Sequence, residues 1–134
     1  MSFPKPIPLP LDQIRVPKKA RVWDWLAFLL KKRIRFRVQG NSMHPLLIEG
    51  DEVFVCPQRN TKSVIKTGDL VVVRHPYRTD VILIKYVASI REQGAIYVLG
   101  TNLNESTDSR TFGWIEPHLI YGCVWSRFQP DSLN

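Results

Sequence analysis

Ile34-Arg35-Phe36-Arg37-Val38-Gln39-Gly40-Asn41-Ser42-Met43-His44-Pro45 is the stretch on which the reading of this chain turns. Ile34, Phe36 and Val38 alternate with Arg35, Arg37 and Gln39, the period of two that marks a half-buried strand. Gly40 and Pro45 then bracket a turn, so Ser42 falls where sheet gives way to a held bend. Downstream, Glu52–Cys56, Leu70–Arg74, Val81–Ala88, Ala95–Leu99 and Tyr121–Phe128 are rich in β-branched and aromatic residues, with Gly, Pro, Asn or Asp between them. Six strands with short connections predict a mainly β domain over residues 34–128, an antiparallel, coiled or barrel-like sheet.

Upstream the pattern differs. Residues 1–17 hold five prolines and predict an extended basic arm that stays out of the core. Residues 18–33 contain an apolar run, Val22 to Leu30, between basic clusters and lack Gly and Pro, which predicts one N-terminal helix of about three turns. A helix lying at a membrane surface and a helix packed over the domain both fit these letters. Residues 129–134 read as a tail.

The 134 residues suit one domain with one core, at 44% hydrophobic composition. The net charge of +7 is concentrated at one end. Residues 1–38 carry ten Lys/Arg against two acids, and the remainder nine against ten, so any anionic surface is met by the N-terminal segment. Cys56 and Cys123 lack metal-ligand spacing and read as buried, reduced thiols, with neither metal nor cofactor expected. No run approaches the ~20 apolar residues of a membrane span. With four prolines among the first ten residues in place of an apolar signal helix, a cytoplasmic location is expected, with residues 18–33 as the contact if the protein touches a membrane surface.

Chemistry concentrates on two residues. A turn Ser is commonplace and needs a base to become a nucleophile. Lys85 lies inside Val81-Ile82-Leu83-Ile84-Lys85-Tyr86-Val87, a run expected to be buried on both faces. Desolvation there lowers a lysine pKa from ~10.4 and suits it to general-base work near neutrality. A strand lysine whose stem reaches out to water fits the same letters.

Val38 to Pro45, Gly50-Asp51, Gly68-Asp69-Leu70-Val71-Val72-Val73-Arg74-His75-Pro76, Ile84-Lys85 and Ser106-Thr107-Asp108-Ser109-Arg110-Thr111-Phe112-Gly113 together resemble the catalytic domain of type I signal peptidases, in that order. The resemblance implies a Ser/Lys endopeptidase on the β-rich fold shared with self-cleaving repressor domains, with Ser42 as nucleophile and Lys85 as base. It implies that Ser106 orients the lysine while Asp108 and Arg110 brace the site. The oxyanion donor implied is the Ser42 N–H; Gly40 stands where some members carry a serine hydroxyl, which leaves the second donor open, a backbone group there included. Met43 and His44 are candidates for lining the substrate pocket. Two positions depart from the pattern, Gly100-Thr101-Asn102 and Tyr86. The core-only wording, with Arg-His-Pro and Ser-Thr-Asp-Ser-Arg-x-Phe-Gly, is most similar to the maturation proteases of nickel-type superoxide dismutase. That similarity implies a protein precursor as partner, losing an N-terminal leader in the cytosol.

Four other readings compete, the first being signal-peptidase-like processing at a membrane surface. A self-cleaving regulator would need an upstream Ala-Gly or Cys-Gly dipeptide, and neither occurs. A Ser/His/Asp hydrolase would draw on His44, His75 or His118. A nucleic-acid module stacking bases on Trp23 and Trp25 leaves Lys85 unexplained, and no nucleic acid is expected as a partner.

Overall fold

The structure, a computed structural model, describes residues 5–58 and 64–130. Seven strands form it: β1 (Lys18–Lys19), β2 (Ile34–Arg37), β3 (Glu52–Pro57), β4 (Leu70–Arg74), β5 (Ile82–Ile90), β6 (Ile96–Leu99) and β7 (Ile120–Phe128). They make one sheet in the order β2-β3-β7-β4-β5-β6, antiparallel throughout, with β1 added in parallel to one end of β7. The mainly β expectation holds, and the sheet is not closed: β2 and β6 stand at its two ends, with Ile96 of β6 bridged to Ile115.

Both faces of the sheet are covered, and β4 shows how. Leu70 and Val72 point into one core with Met43, Leu47, Val53, Val55, Tyr86 and Leu99. Val71 and Val73 point into another with Val87, Val98, Phe112 and Ile115. Strict alternation of side chains turns one apolar run into two half-cores, which is why Leu70–Val73 has no polar residue.

The N-terminal segment departs from expectation. The helix α1 spans Val22–Leu29, eight residues, and is preceded by a strand at Lys18–Lys19. Arg21 and Asp24 close its first turn, with the Arg21 N–H donating to Asp24 Oδ2 at 2.8 Å. Ala20 N–H meanwhile donates to Arg127 O, holding the chain extended beside β7 up to that point. The proline-rich arm also joins the body: Ile14 is buried in the core, and Arg15 N–H donates to Gly68 O at 2.9 Å. Gly68 has φ of +89°, and a Cβ there would collide with the Gln13 carbonyl, so glycine is what lets the arm lie down. Residues 1–4 of the arm and 131–134 of the tail lie outside the described residues.

The cysteines also sit differently from expectation. Cys56 and Cys123 are partners across β3 and β7, free and only partly buried, and desolvation is the main cause that pushes the Cys123 thiol up to about 11.

Candidate active site

β2 delivers the chain into a loop that returns at β3. Val38 N–H donates to Asp51 O and Gly50 N–H to Val38 O, which ties the two ends of residues 38–51 together. Inside, Met43 and Leu47 plunge into the core, and Leu47 N–H donates to Met43 O. Ser42 is therefore held by a buried anchor immediately after it, while its own side chain stays half-exposed. The His44–Pro45 peptide bond is cis.

A second segment clamps this turn from outside. Asn102 N–H donates to Ser42 O at 2.9 Å, Asn102 Nδ2 to Asn41 O at 3.1 Å, and Thr101 Oγ1 to His44 O at 2.9 Å. Gly100 makes the approach feasible: a Cβ there would lie 2.6 Å from Ser42 O and collide with Ser106 Oγ. In sequence, residues 100–102 stand out only as a departure from the family pattern. Three hydrogen bonds to residues 41–44 make them a structural part of the site.

Lys85 lies on β5 opposite Val71, on the sheet face it shares with Leu83 and Val87, and only 2% of it is exposed. That apolar setting is why its pKa falls to about 8: desolvation lowers it, Asp108 pulls it back up, and Arg110 pushes it down. The run around it is less enclosed than expected. Ile82 is exposed and Leu83 and Ile84 are half-buried, because β6 pairs with β5 only from Tyr86 onward. Among the described residues, 82–85 thus have no strand partner on that side.

Residues 82–85 and the β2 segment line one cleft of about 370 Å³. Ser42, Met43 and Lys85 all line it, together with Arg35–Gln39 and Ile82–Ile84. Among the described residues no hydrogen bond joins Ser42 Oγ to Lys85 Nζ, and the Ser42 N–H has no acceptor. His44 is exposed and lies off the cleft. Gly40, at φ +75°, directs its N–H to Glu49 Oε1 at 3.4 Å.

The remaining candidates form a cluster of their own. Asp108 is fully buried and accepts from Ser106 Oγ at 2.7 Å, Gly100 N at 3.1 Å, and Arg110 Nε at 2.9 Å. Burial alone would raise its pKa, but these donors outweigh burial and hold the carboxyl below its ordinary value. Arg110 also donates to Leu103 O and Ser106 O, so the cluster knits residues 100–110 into one unit. Because Ser106 gives its proton to Asp108, its lone pairs remain as acceptors.

Histidine chemistry finds no support here. None of the three histidines lines the cleft. His75 accepts from Tyr77 N–H and Arg78 N–H at Nδ1 and packs on Phe112, which makes it a brace of the β4–β5 turn.

A β-rich domain in which a serine turn and a buried lysine line the same cleft is the class the geometry defines. Residues 24–91 match the family model of signal peptidase, peptidase S26, and the chain belongs to that family. The matched span includes Ser42 and Lys85 and ends before Ser106, Asp108 and Arg110. No curated protein matches this sequence. Family membership makes the chain a serine peptidase in kind, whose substrate is a protein or peptide.

Proposed function

We propose that this protein is a serine endopeptidase in which neutral Lys85 activates Ser42. The observation that carries the reading is a lysine 2% exposed, with a pKa of about 8, on the wall of the cleft that Ser42 also lines. Lys85 Nζ takes the proton from Ser42 Oγ as Oγ bonds to the scissile carbonyl carbon. The tetrahedral oxyanion accepts from the Ser42 N–H, a donor otherwise without a partner among the described residues. Collapse breaks the C–N bond, Lys85 returns the proton to the leaving amine, and water then hydrolyses the acyl-enzyme with Lys85 again as base. Ser106, its hydrogen committed to Asp108, offers a lone pair that holds the lysine between these transfers.

The cleft suits an extended peptide. β2, at one end of the sheet, and residues 82–85, which β6 does not pair among the described residues, both line it and offer strand edges to which a peptide can add. The substrate in this reading is a cytosolic precursor that loses an N-terminal leader, in the manner of a nickel-type superoxide dismutase precursor. Its support is the similarity of Arg74-His75-Pro76 and Ser106 to Gly113 to the maturation proteases of that enzyme. Incubation with such a precursor tests it: a single cut, lost in Ser42→Ala and in Lys85→Met, is expected. A precursor left intact by the wild type removes the substrate.

A further inference from the structure

Helix α1 has two apolar faces, and the fold uses only one. Trp25 and Phe28 turn inward, with the Trp25 ring 5.1 Å from Phe54 and 4.8 Å from Phe128. Val22, Trp23, Leu26, Leu29 and Leu30 turn outward, at spacings of three, four and seven that place them on one side of a helix. Trp23 is 76% exposed and Leu29 72%. A soluble surface seldom leaves so many large side chains side by side without a use for them.

The charges around this face have one sign. Lys18, Lys19, Arg21, Lys31 and Lys32 are exposed at its two ends. The helix's sole acid, Asp24, is buried and occupied in capping the Arg21 N–H. Eight residues make about 12 Å of helix, too short to cross a bilayer and suited to lying in the headgroup layer. An apolar strip bearing a tryptophan, framed by lysines and arginine, fits a surface whose interior is apolar and whose skin is negative.

We infer that the outer face of α1 docks this protein on anionic lipid bilayers, as a peripheral surface and not a span. The groove beyond the helix C-terminus, lined by Phe28 and Leu29, shares Arg35, Phe36 and Arg37 with the Ser42 cleft. Docking therefore brings that cleft to the edge of the membrane and favours substrates held near it. The inference does not depend on the peptidase reading, because none of the docking residues lines the cleft.

Co-sedimentation of the full chain with vesicles tests it, comparing pure phosphatidylcholine with an equal mixture of phosphatidylcholine and phosphatidylglycerol. The mixed vesicles should carry the protein down and the neutral ones should not. Lys31→Gln with Lys32→Gln should weaken partitioning about thirty-fold, at roughly five-fold per charge removed. Trp23→Ser with Leu29→Ser and Leu30→Ser should reduce it to the level on neutral vesicles, with far-ultraviolet circular dichroism and cooperative thermal unfolding retained. Equal binding to both vesicle types, or full binding by the triple variant, overturns the inference. So does dimerisation without lipid that the triple variant abolishes, which would make the face a contact between copies. Single-strand oligonucleotide binding that depends on the lysines, with vesicle binding absent, overturns it too and assigns the basic cluster to nucleic acid.

Discussion

Replacing Lys85 with methionine should stabilise the fold while abolishing catalysis. Burial is the main cause that lowers the lysine pKa from its ordinary 10.5 to about 8 in the folded protein. Below pH 8 it is protonated in both states, and the folded state holds an ammonium in a setting that disfavours it. The gap between the two pKa values corresponds to about 3 kcal/mol of stability forgone. As pH rises from 8 to 10.5 the unfolded chain binds more protons than the folded one, so wild-type stability increases over that window and levels off above it. Methionine has similar length and no charge, so Lys85→Met should gain about 3 kcal/mol at pH 7 and nearly nothing above pH 10.5. For a domain of this size that is a rise of roughly 10 °C in Tm at pH 7. Urea denaturation of both proteins at pH 7 and pH 10.5 measures the difference. A variant less stable at pH 7, or a gain equal at both pH values, refutes the argument that burial sets the lysine's chemistry.

Three other substitutions probe the surroundings. Asp108→Asn removes the charge that pulls the Lys85 pKa upward, so the acid limb of the pH–rate profile should move below 8. It should also cost about 2 kcal/mol, less than a wholly buried pair because the Arg110 side chain is 38% exposed. Since the Asp108 carboxyl sits below its ordinary pKa, its contribution is complete above that ordinary value and disappears as pH falls through the lowered one, which acid titration of the two proteins can follow. Gly100→Ala drives a methyl against Ser42 O and Ser106 Oγ and should cost about 1–3 kcal/mol together with most of kcat, read by thermal melting and by turnover. Asn102→Ala keeps the backbone bond to Ser42 O but loses the one to Asn41 O, so a stability loss near 1 kcal/mol with a larger fall in kcat than in KM is expected from steady-state kinetics.

The strands were legible because their apolar residues obey a period that burial enforces. Ile34 to Val38 and Leu70 to Val73 announce one covered face and two covered faces respectively, and the sheet uses them so. Lys85 was legible as an anomaly, since a lone amine in an oily strand has few explanations. Less was readable where partners lie far apart in sequence. That Ile14 joins the core depends on Gly68, 54 positions later, offering a flat glycine and a carbonyl. The clamp of residues 100–102 on the Ser42 turn uses mostly backbone groups, which every residue type possesses, so only Gly100 carried a signal. The helix came out shorter because Lys18 and Lys19 find a strand partner in Ser126 and Arg127, a tertiary contact that outweighs local helix propensity.

Acylation of Ser42 by a serine-directed reagent, followed by intact-mass and peptide-mapping mass spectrometry between pH 6 and 10, tests the central claim most directly. One adduct on Ser42 is predicted, forming faster as pH rises through about 8, lost with Lys85→Met and retained with His44→Ala. An adduct elsewhere, or one whose rate ignores both pH and Lys85, would contradict the account.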